Sequence, residues 1–125
     1  DSNILTDDLE KTTRFYAKVL GLEQGEAPSA AVGFKGAWMR DSMGNAIVHI
    51  VWKNPESNHG SKHNPGDPTA AIHHVAFRCK GYEETIEKFE RENINFRSDG
   101  KVRDGVRQIV LRDPNNINIE LNFTE

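Results

Sequence analysis

The chain repeats itself, and this internal repeat constrains its fold more than any other feature. Residues 9–12 (LEKT) align with residues 82–85 (YEET) at an offset of 73, and residues 38–41 (WMRD) align with residues 110–113 (VLRD) at an offset of 72. A repeat of this size predicts two copies of one supersecondary motif. Because a domain usually has ~100–200 residues, we expect the 125 residues to form one domain from both copies.

Helical and strand-like patterns recur in the same order in both halves. Apolar residues at helical spacing predict helices over residues 7–20 and 82–92. Alternating apolar runs predict strands at residues 3–6, 31–34, 37–40 and 46–52 of the first half, and at residues 72–79, 94–97, 107–112 and 117–123 of the second. We therefore predict an α+β fold of two βαβββ modules.

The stretch between the halves has the composition of a linker. Residues 53–68 are rich in Asn, Pro, Gly and Ser and show no periodicity. This places module one at residues 1–56, a linker at residues 57–70 and module two at residues 71–125, together forming a single domain. An unrelated α+β sandwich whose halves resemble each other by accident is the alternative.

Charge and cysteine content exclude several partners. With 16 basic and 19 acidic residues the chain carries a formal charge of -3, so we expect neither nucleic acid nor an anionic membrane surface as a partner. The single cysteine, Cys79, cannot form an internal disulfide, and a reducing cytoplasm is the expected location. The chain begins without Met inside a predicted strand, so further residues are expected before Asp1.

Polar residues are predicted to meet on one face of the second module. Strand 117–123 alternates, which sends Glu120 to the face opposite its large apolar side chains. In strand 72–79 the same rule puts His74 on that face and His73 on the other. His49 occupies the position of Glu120 in the first module, and Asp1 occupies that of His74. The alternatives are a solvated polar face and a histidine buried in the core.

Three segments resemble the vicinal oxygen chelate superfamily: residues 8–22 (DLEKTTRFYAKVLGL), 73–77 (HHVAF) and 113–121 (DPNNINIEL). The resemblance implies a curved mixed sheet around a U-shaped cavity with a divalent metal at its centre. By position it implies His49, His74 and Glu120 as metal ligands. The family's first-strand histidine falls at Asp1, a departure that puts a fourth ligand in doubt. Two histidines and one carboxylate suit Fe, Mn, Zn or Ni.

The resemblance also implies the class of chemistry. We expect a metal-dependent enzyme acting on a small oxygen-rich metabolite or xenobiotic, with lyase, isomerase, dioxygenase and transferase activities all left open. A glyoxalase I is disfavoured because His49 replaces the glutamate that would pair with Glu120. The alternative is a metal-free protein that sequesters a small molecule or antibiotic, as bleomycin-resistance proteins do. A homodimer is expected.

Site roles follow from strand parity and the same resemblance. The catalytic residues are predicted to be Glu120 and His74. The substrate-binding residues are predicted to be Trp38, Arg78, Arg112, Asn118 and Asn122. His59 and His63 lie in the linker and are predicted to be solvated, because nearby Pro and Gly residues prevent a helix. Cys79 is predicted to be buried and unreactive.

Overall fold

The structure is a computed structural model that describes residues 2–26, 35–56, 64–69 and 71–124. It divides into two compact units, Asp1–Asp67 with Pro114–Asn116, and Pro68–Asp113 with Ile117–Glu125. Several sequence predictions fall outside the described residues. They are the strand at residues 31–34, the residues Asp1, His59 and His63, and more than half of the predicted linker.

The first unit has the predicted βαβββ order. Its elements are β1 (Ser2–Thr6), α1 (Leu9–Leu20), β2 (Glu23–Glu26), β3 (Gly36–Arg40) and β4 (Ala46–Trp52). The strands form one mixed sheet in the order β1-β4-β3-β2, in which β1 is parallel to β4 and the other pairs are antiparallel. Strand β2 was not predicted, because its polar sequence EQGE has no apolar alternation.

Helix α1 begins and ends at residues suited to those positions. The Asp8 carboxylate accepts a hydrogen bond from Lys11 N at 3.0 Å, and Gly21 ends the helix with φ 67 in the left-handed region. Its buried face includes Thr12 and Tyr16. The Thr12 hydroxyl lies 2.9 Å from that of Thr6, so these buried polar groups satisfy each other.

The second unit has the same order with one strand fewer. Its elements are β5 (Val75–Cys79), α2 (Tyr82–Arg91), β6 (Arg107–Arg112) and β7 (Asn118–Phe123), in the sheet order β5-β7-β6 with β5 parallel to β7. The prediction of a strand at residues 94–97 is wrong: only Arg97 pairs, in an isolated bridge to Val110. The α+β fold of two modules is confirmed.

Strand β7 separates apolar from polar side chains. Ile119, Leu121 and Phe123 are buried, and the Phe123 ring contacts that of Tyr82 on α2, with centroids 5.5 Å apart. The polar residues that alternate with them along β7 are only half-buried. We call the side of the second sheet that they occupy its polar face; these residues are Asn118, Glu120 and Asn122. Among the described residues, no helix is long and apolar enough to cross a membrane.

Candidate functional site

His74 and Glu120 approach each other on the polar face of the second sheet. Glu120 lies in β7 and His74 lies just before β5, and the atoms His74 Nε2 and Glu120 Oε2 are 3.5 Å apart. Their side chains keep 35% and 18% of their exposure, so a small ligand can reach both. Glu120 pairs across the ladder with Ala76, whose methyl group is too small to cover the carboxylate.

His73 contacts His74, contrary to the prediction that it faces the other way. Their Nδ1 atoms are 2.8 Å apart, so one ring donates a proton and the other accepts it. The prediction of a strand from residue 72 is wrong, because the strand starts at Val75 and the two-residue alternation does not apply before it. The Asn118 amide donates to the His73 carbonyl at 3.3 Å and ties this segment to β7.

The spacing of this pair fits a shared metal ion. Two ligand atoms that each lie about 2.1 Å from one ion are about 3.0–3.4 Å apart in octahedral or tetrahedral geometry. The 3.5 Å between His74 and Glu120 is close to that range. Within each unit, however, the residues that the structure describes bring together no group of three or more His, Cys, Asp or Glu side chains. The second unit thus brings together two residues of the predicted ligand set, His74 and Glu120.

His49, the third predicted ligand, lies in the first unit on β4. Its ring contacts that of its cross-strand partner Trp38, with centroids 5.7 Å apart. The atoms His49 Nε2 and Trp38 Nε1 are both buried, and neither has a hydrogen-bond partner in the described part of the chain. Burial lowers the pKa of His49, which favours the neutral imidazole that binds metals. Its role as a ligand stays a prediction.

A cavity of about 1150 Å³ lies in the second unit beside the polar face. Two predicted substrate-binding residues line it, Arg78 from β5 and Asn122 from β7. Arg112 and Asn118 are cross-strand partners at the opposite end of the antiparallel β6–β7 pair, and they do not line the cavity. Trp38 belongs to the first unit.

Sequence reasoning missed the segment 97–106, which supplies much of the cavity wall. The Ser98 hydroxyl donates to the Gln108 carbonyl at 2.7 Å and lies 2.7 Å from the Tyr82 hydroxyl, which therefore donates to it. The Asp99 carboxylate binds Arg103 at 2.8 Å, and this hydrogen bond lowers the pKa of Asp99 to about 2. The cluster of basic residues was visible in the sequence, but no periodicity connected it with the site.

Cys79 is unsuited to be the nucleophile of this site. Burial raises the pKa of its thiol to about 11, so the thiolate is scarce at neutral pH. Cys79 is half-buried rather than buried as predicted, and the raised pKa of its thiol is in line with the predicted lack of reactivity.

The fold has many counterparts among solved structures. A glyoxalase/dioxygenase from Nostoc punctiforme is 20% identical, with a TM-score of 0.67 over 97% of this chain and 86% of that one. The fosfomycin resistance protein FosX from Listeria monocytogenes is 18% identical, with a TM-score of 0.66 over 96% and 86% of the two chains. FosX in complex with Mn(II) and sulfate ion is matched at 16% identity, with a TM-score of 0.62 over 98% and 88%.

No curated protein sequence matches the chain significantly. The model of one protein family does match, over residues 3–121, which include both modules and all three predicted metal ligands. With the two-module fold established independently, this chain belongs to the Glyoxalase/Bleomycin resistance protein/Dioxygenase superfamily.

Proposed function

We propose that the protein is a divalent-metal-dependent enzyme that acts on a small oxygen-rich metabolite or xenobiotic. The observation that carries this proposal is the 3.5 Å approach of His74 Nε2 to Glu120 Oε2 on an accessible sheet face. Membership of the superfamily supports it, and so does the Mn(II) complex of FosX, which has the same fold. The choice among lyase, isomerase, dioxygenase and transferase chemistry stays open in the proposal.

His74, Glu120 and His49 would hold the metal. A bound divalent ion would polarise adjacent oxygens of the substrate and stabilise the negative charge that develops on them. His74 can offer the Nε2 lone pair when its Nδ1–H donates to His73 Nδ1 across their 2.8 Å contact, and this is the tautomer that a metal ligand needs. Fe, Zn and Ni suit the same donors.

The remaining predicted residues would bind and orient the substrate. Arg78 and Asn122 line the cavity beside the pair and can donate hydrogen bonds to substrate oxygens. Arg112 and Asn118 share the polar face at the other end of β7 and are proposed as additional contacts. Trp38 offers an indole N–H that has no partner among the described residues.

A metal-free sequestering protein is the second candidate. The specific observation in its favour is that His74 Nε2 and Glu120 Oε2, 3.5 Å apart, can serve as partners for each other without any metal when His74 Nε2 carries a proton. In that case the cavity would hold the small molecule by hydrogen bonds and charge alone, and His49 would be a pocket residue.

Metal analysis separates the two candidates. Protein purified without chelator should contain about one equivalent of divalent metal per chain, or should bind Mn(II) stoichiometrically. His74→Ala and Glu120→Gln should each weaken Mn(II) binding by more than about 100-fold, since loss of an outer-shell partner alone costs about 10–100-fold. His49→Ala should weaken it as well.

Glu90→Gln is the matched control, because Glu90 is an exposed carboxylate on α2. It should leave Mn(II) binding unchanged. Less than about a tenth of an equivalent of metal, with no uptake of Fe(II), Mn, Zn or Ni, would reject the enzyme in favour of the sequestering protein.

We also propose that the protein works as a homodimer in the cytoplasm. The single cysteine, Cys79, cannot form an internal disulfide, and such sparse use of cysteine is typical of proteins in a reducing compartment. Sedimentation at micromolar concentration tests the dimer, and a purely monomeric profile would contradict it.

A further inference from the structure

The cavity of the second unit is lined by more cationic than anionic side chains. Four cationic side chains face two carboxylates there, in a chain whose net charge is -3. The cations are Arg78, Arg97, Lys101 and Arg103, and the carboxylates are Asp99 and Asp104. Asp99 is already bound to Arg103 at 2.8 Å, so this pair neutralises itself. The balance of the cavity is positive.

Three of the four cations are not bound to a carboxylate, although Lys101 also attracts Asp99 electrostatically. In the part of the chain that the structure describes, the guanidinium groups of Arg78 and Arg97 and the ammonium group of Lys101 make no hydrogen bond or ion pair. Arg107, which is close by in β6, contrasts with them because it binds Glu83 at 3.0 Å and stacks on the Tyr82 ring. Like charges gathered around a cavity repel each other unless an anion is present.

The backbone that carries these cations is held in place. Ser98 connects the segment to α2 and β6 through Tyr82 and the Gln108 carbonyl. Asp99 accepts from Lys101 N at 2.9 Å, which closes the turn that carries the Lys101 side chain. Little conformational entropy would then be lost when an anion binds between these groups.

The sheet adds a neutral donor to the same site. The Gln108 amide donates to Asn122 Oδ1 at 2.9 Å, which leaves the amide nitrogen of Asn122 as a donor. Asn122 is the cross-strand partner of Arg78, so the two lie side by side.

We propose that the cavity of the second unit binds the oxyanion of an acidic ligand, with Arg78, Arg97 and Lys101 as its charged partners and Asn122 as a further donor. Charge-assisted hydrogen bonds from several donors are the usual means of recognising phosphate, sulfate and carboxylate groups.

Identifying this ligand as the substrate rests on the proposed function. Asn122 and Glu120 are two residues apart on β7 and face the same way, so their Cα atoms are about 7 Å apart. A substrate with an anionic group at one end and its reacting oxygens about 7 Å away would reach both places. The substrate class is therefore a small acid, and a neutral polyol or an aromatic diol does not fit.

Calorimetry with inorganic phosphate tests the site. The protein is first stripped of metal and then dialysed free of chelator, because the carboxylates of a chelator would compete for the same cations. At constant ionic strength, phosphate should bind saturably with one site per chain. The double variant Arg97→Gln/Lys101→Gln should weaken binding by about tenfold or more, and Arg78→Gln should weaken it separately.

Arg91→Gln/Lys80→Gln is the matched control, since it removes two exposed cations of the same unit that do not line the cavity. Its affinity for phosphate should stay within about twofold of the parent. If both double variants lose the same amount of phosphate affinity, the loss comes from the general electrostatic field of the unit, and the proposed site is wrong. Absence of saturable binding of phosphate, sulfate and acetate alike would also overturn it, and the preferred anion among the three identifies the ligand group.

His74→Ala distinguishes the failure of this inference from that of the proposed function. It should abolish Mn(II) binding and leave phosphate binding within about twofold. Mn(II) binding without phosphate binding would reject the anion site alone, and phosphate binding without Mn(II) binding would reject the metal enzyme alone. Loss of phosphate binding in His74→Ala would place the anion on the His74–Glu120 pair and overturn the assignment.

Discussion

The two units share an order of elements and differ in what their last strands carry. In the first unit, β4 reads AIVHIVW, and its one polar residue apart from the terminal tryptophan is His49. In the second unit, β7 reads NIELNF and alternates polar with apolar residues throughout. The first unit thus offers a half-buried imidazole next to an indole, whereas the second offers an accessible histidine, a carboxylate and several cations.

This difference shows how one duplicated motif can take on separate tasks. In both copies the side chains on one side of the sheet are buried and apolar, and that side maintains the fold. The other side is free to diverge because it contributes little to the core. In this protein most of the candidate chemistry lies in the second copy.

The largest expected effect tests whether the two cores are equivalent. Ile50 follows His49 and Leu121 follows Glu120, and both are almost fully buried. Ile50→Ala and Leu121→Ala should each lower the free energy of unfolding by about 2–5 kcal/mol, because each removes packed methyl groups and leaves a cavity. Urea denaturation followed by circular dichroism measures the loss.

Ile72→Ala is the control for this pair, since Ile72 is 61% exposed and should cost less than about 0.5 kcal/mol. A loss below about 1 kcal/mol for only one of the two core variants would show that the copies do not share a comparable core.

A smaller effect tests the contact between His73 and His74, which has no counterpart in the described part of the first unit. His73→Ala removes the partner of His74 Nδ1 and should weaken Mn(II) binding by about 10–100-fold, less than the loss in His74→Ala. Isothermal titration of the metal measures both variants under the same conditions. If His73→Ala binds Mn(II) as tightly as the parent, the Nδ1 contact does not orient the ligand.

The smallest effect compares the two helices at their first turns. Helix α1 has an Asp8 cap, whereas α2 begins after Gly81, which has no side chain to act as one. Asp8→Ala should lower the free energy of unfolding by about 1 kcal/mol through loss of the bond to Lys11 N. Asp7→Ala is its control, because in the described ranges of the chain only the carbonyl of Asp7 is bonded, as the acceptor from Trp52 Nε1. An equal loss in both variants would rule out the cap as the cause.

Sequence periodicity predicted the elements whose apolar residues face a core. Both helices and the strands β1, β3, β4, β6 and β7 lie within about two residues of their predicted bounds, an error typical of such predictions. The residues at the ends of α1, Asp8 and Gly21, suit the backbone there through a capping side chain and the lack of a side chain, respectively. The alternation in β7 placed Glu120 on the polar face, and the predicted approach of His74 to it is present although His74 lies before β5.

Periodicity failed where backbone pairing or isolated side-chain bonds decide the structure. Strand β2 is held at the sheet edge by its ladder with β3, and its own residues are mostly exposed. Residues 94–97 have a strand-like composition, yet only Arg97 forms a β-bridge. The wall around Ser98 depends on two hydrogen bonds between distant residues, and no local pattern in the sequence predicts them.

The strict alternation in β7 has a consequence for how such a protein can change. Substitutions at 118, 120 and 122 alter what the sheet presents to a ligand, and those at 119, 121 and 123 alter whether the chain folds. Selection can therefore explore new chemistry at every second position without endangering the scaffold. The same fold can therefore support many reactions while the sequences that adopt it diverge until little identity is left.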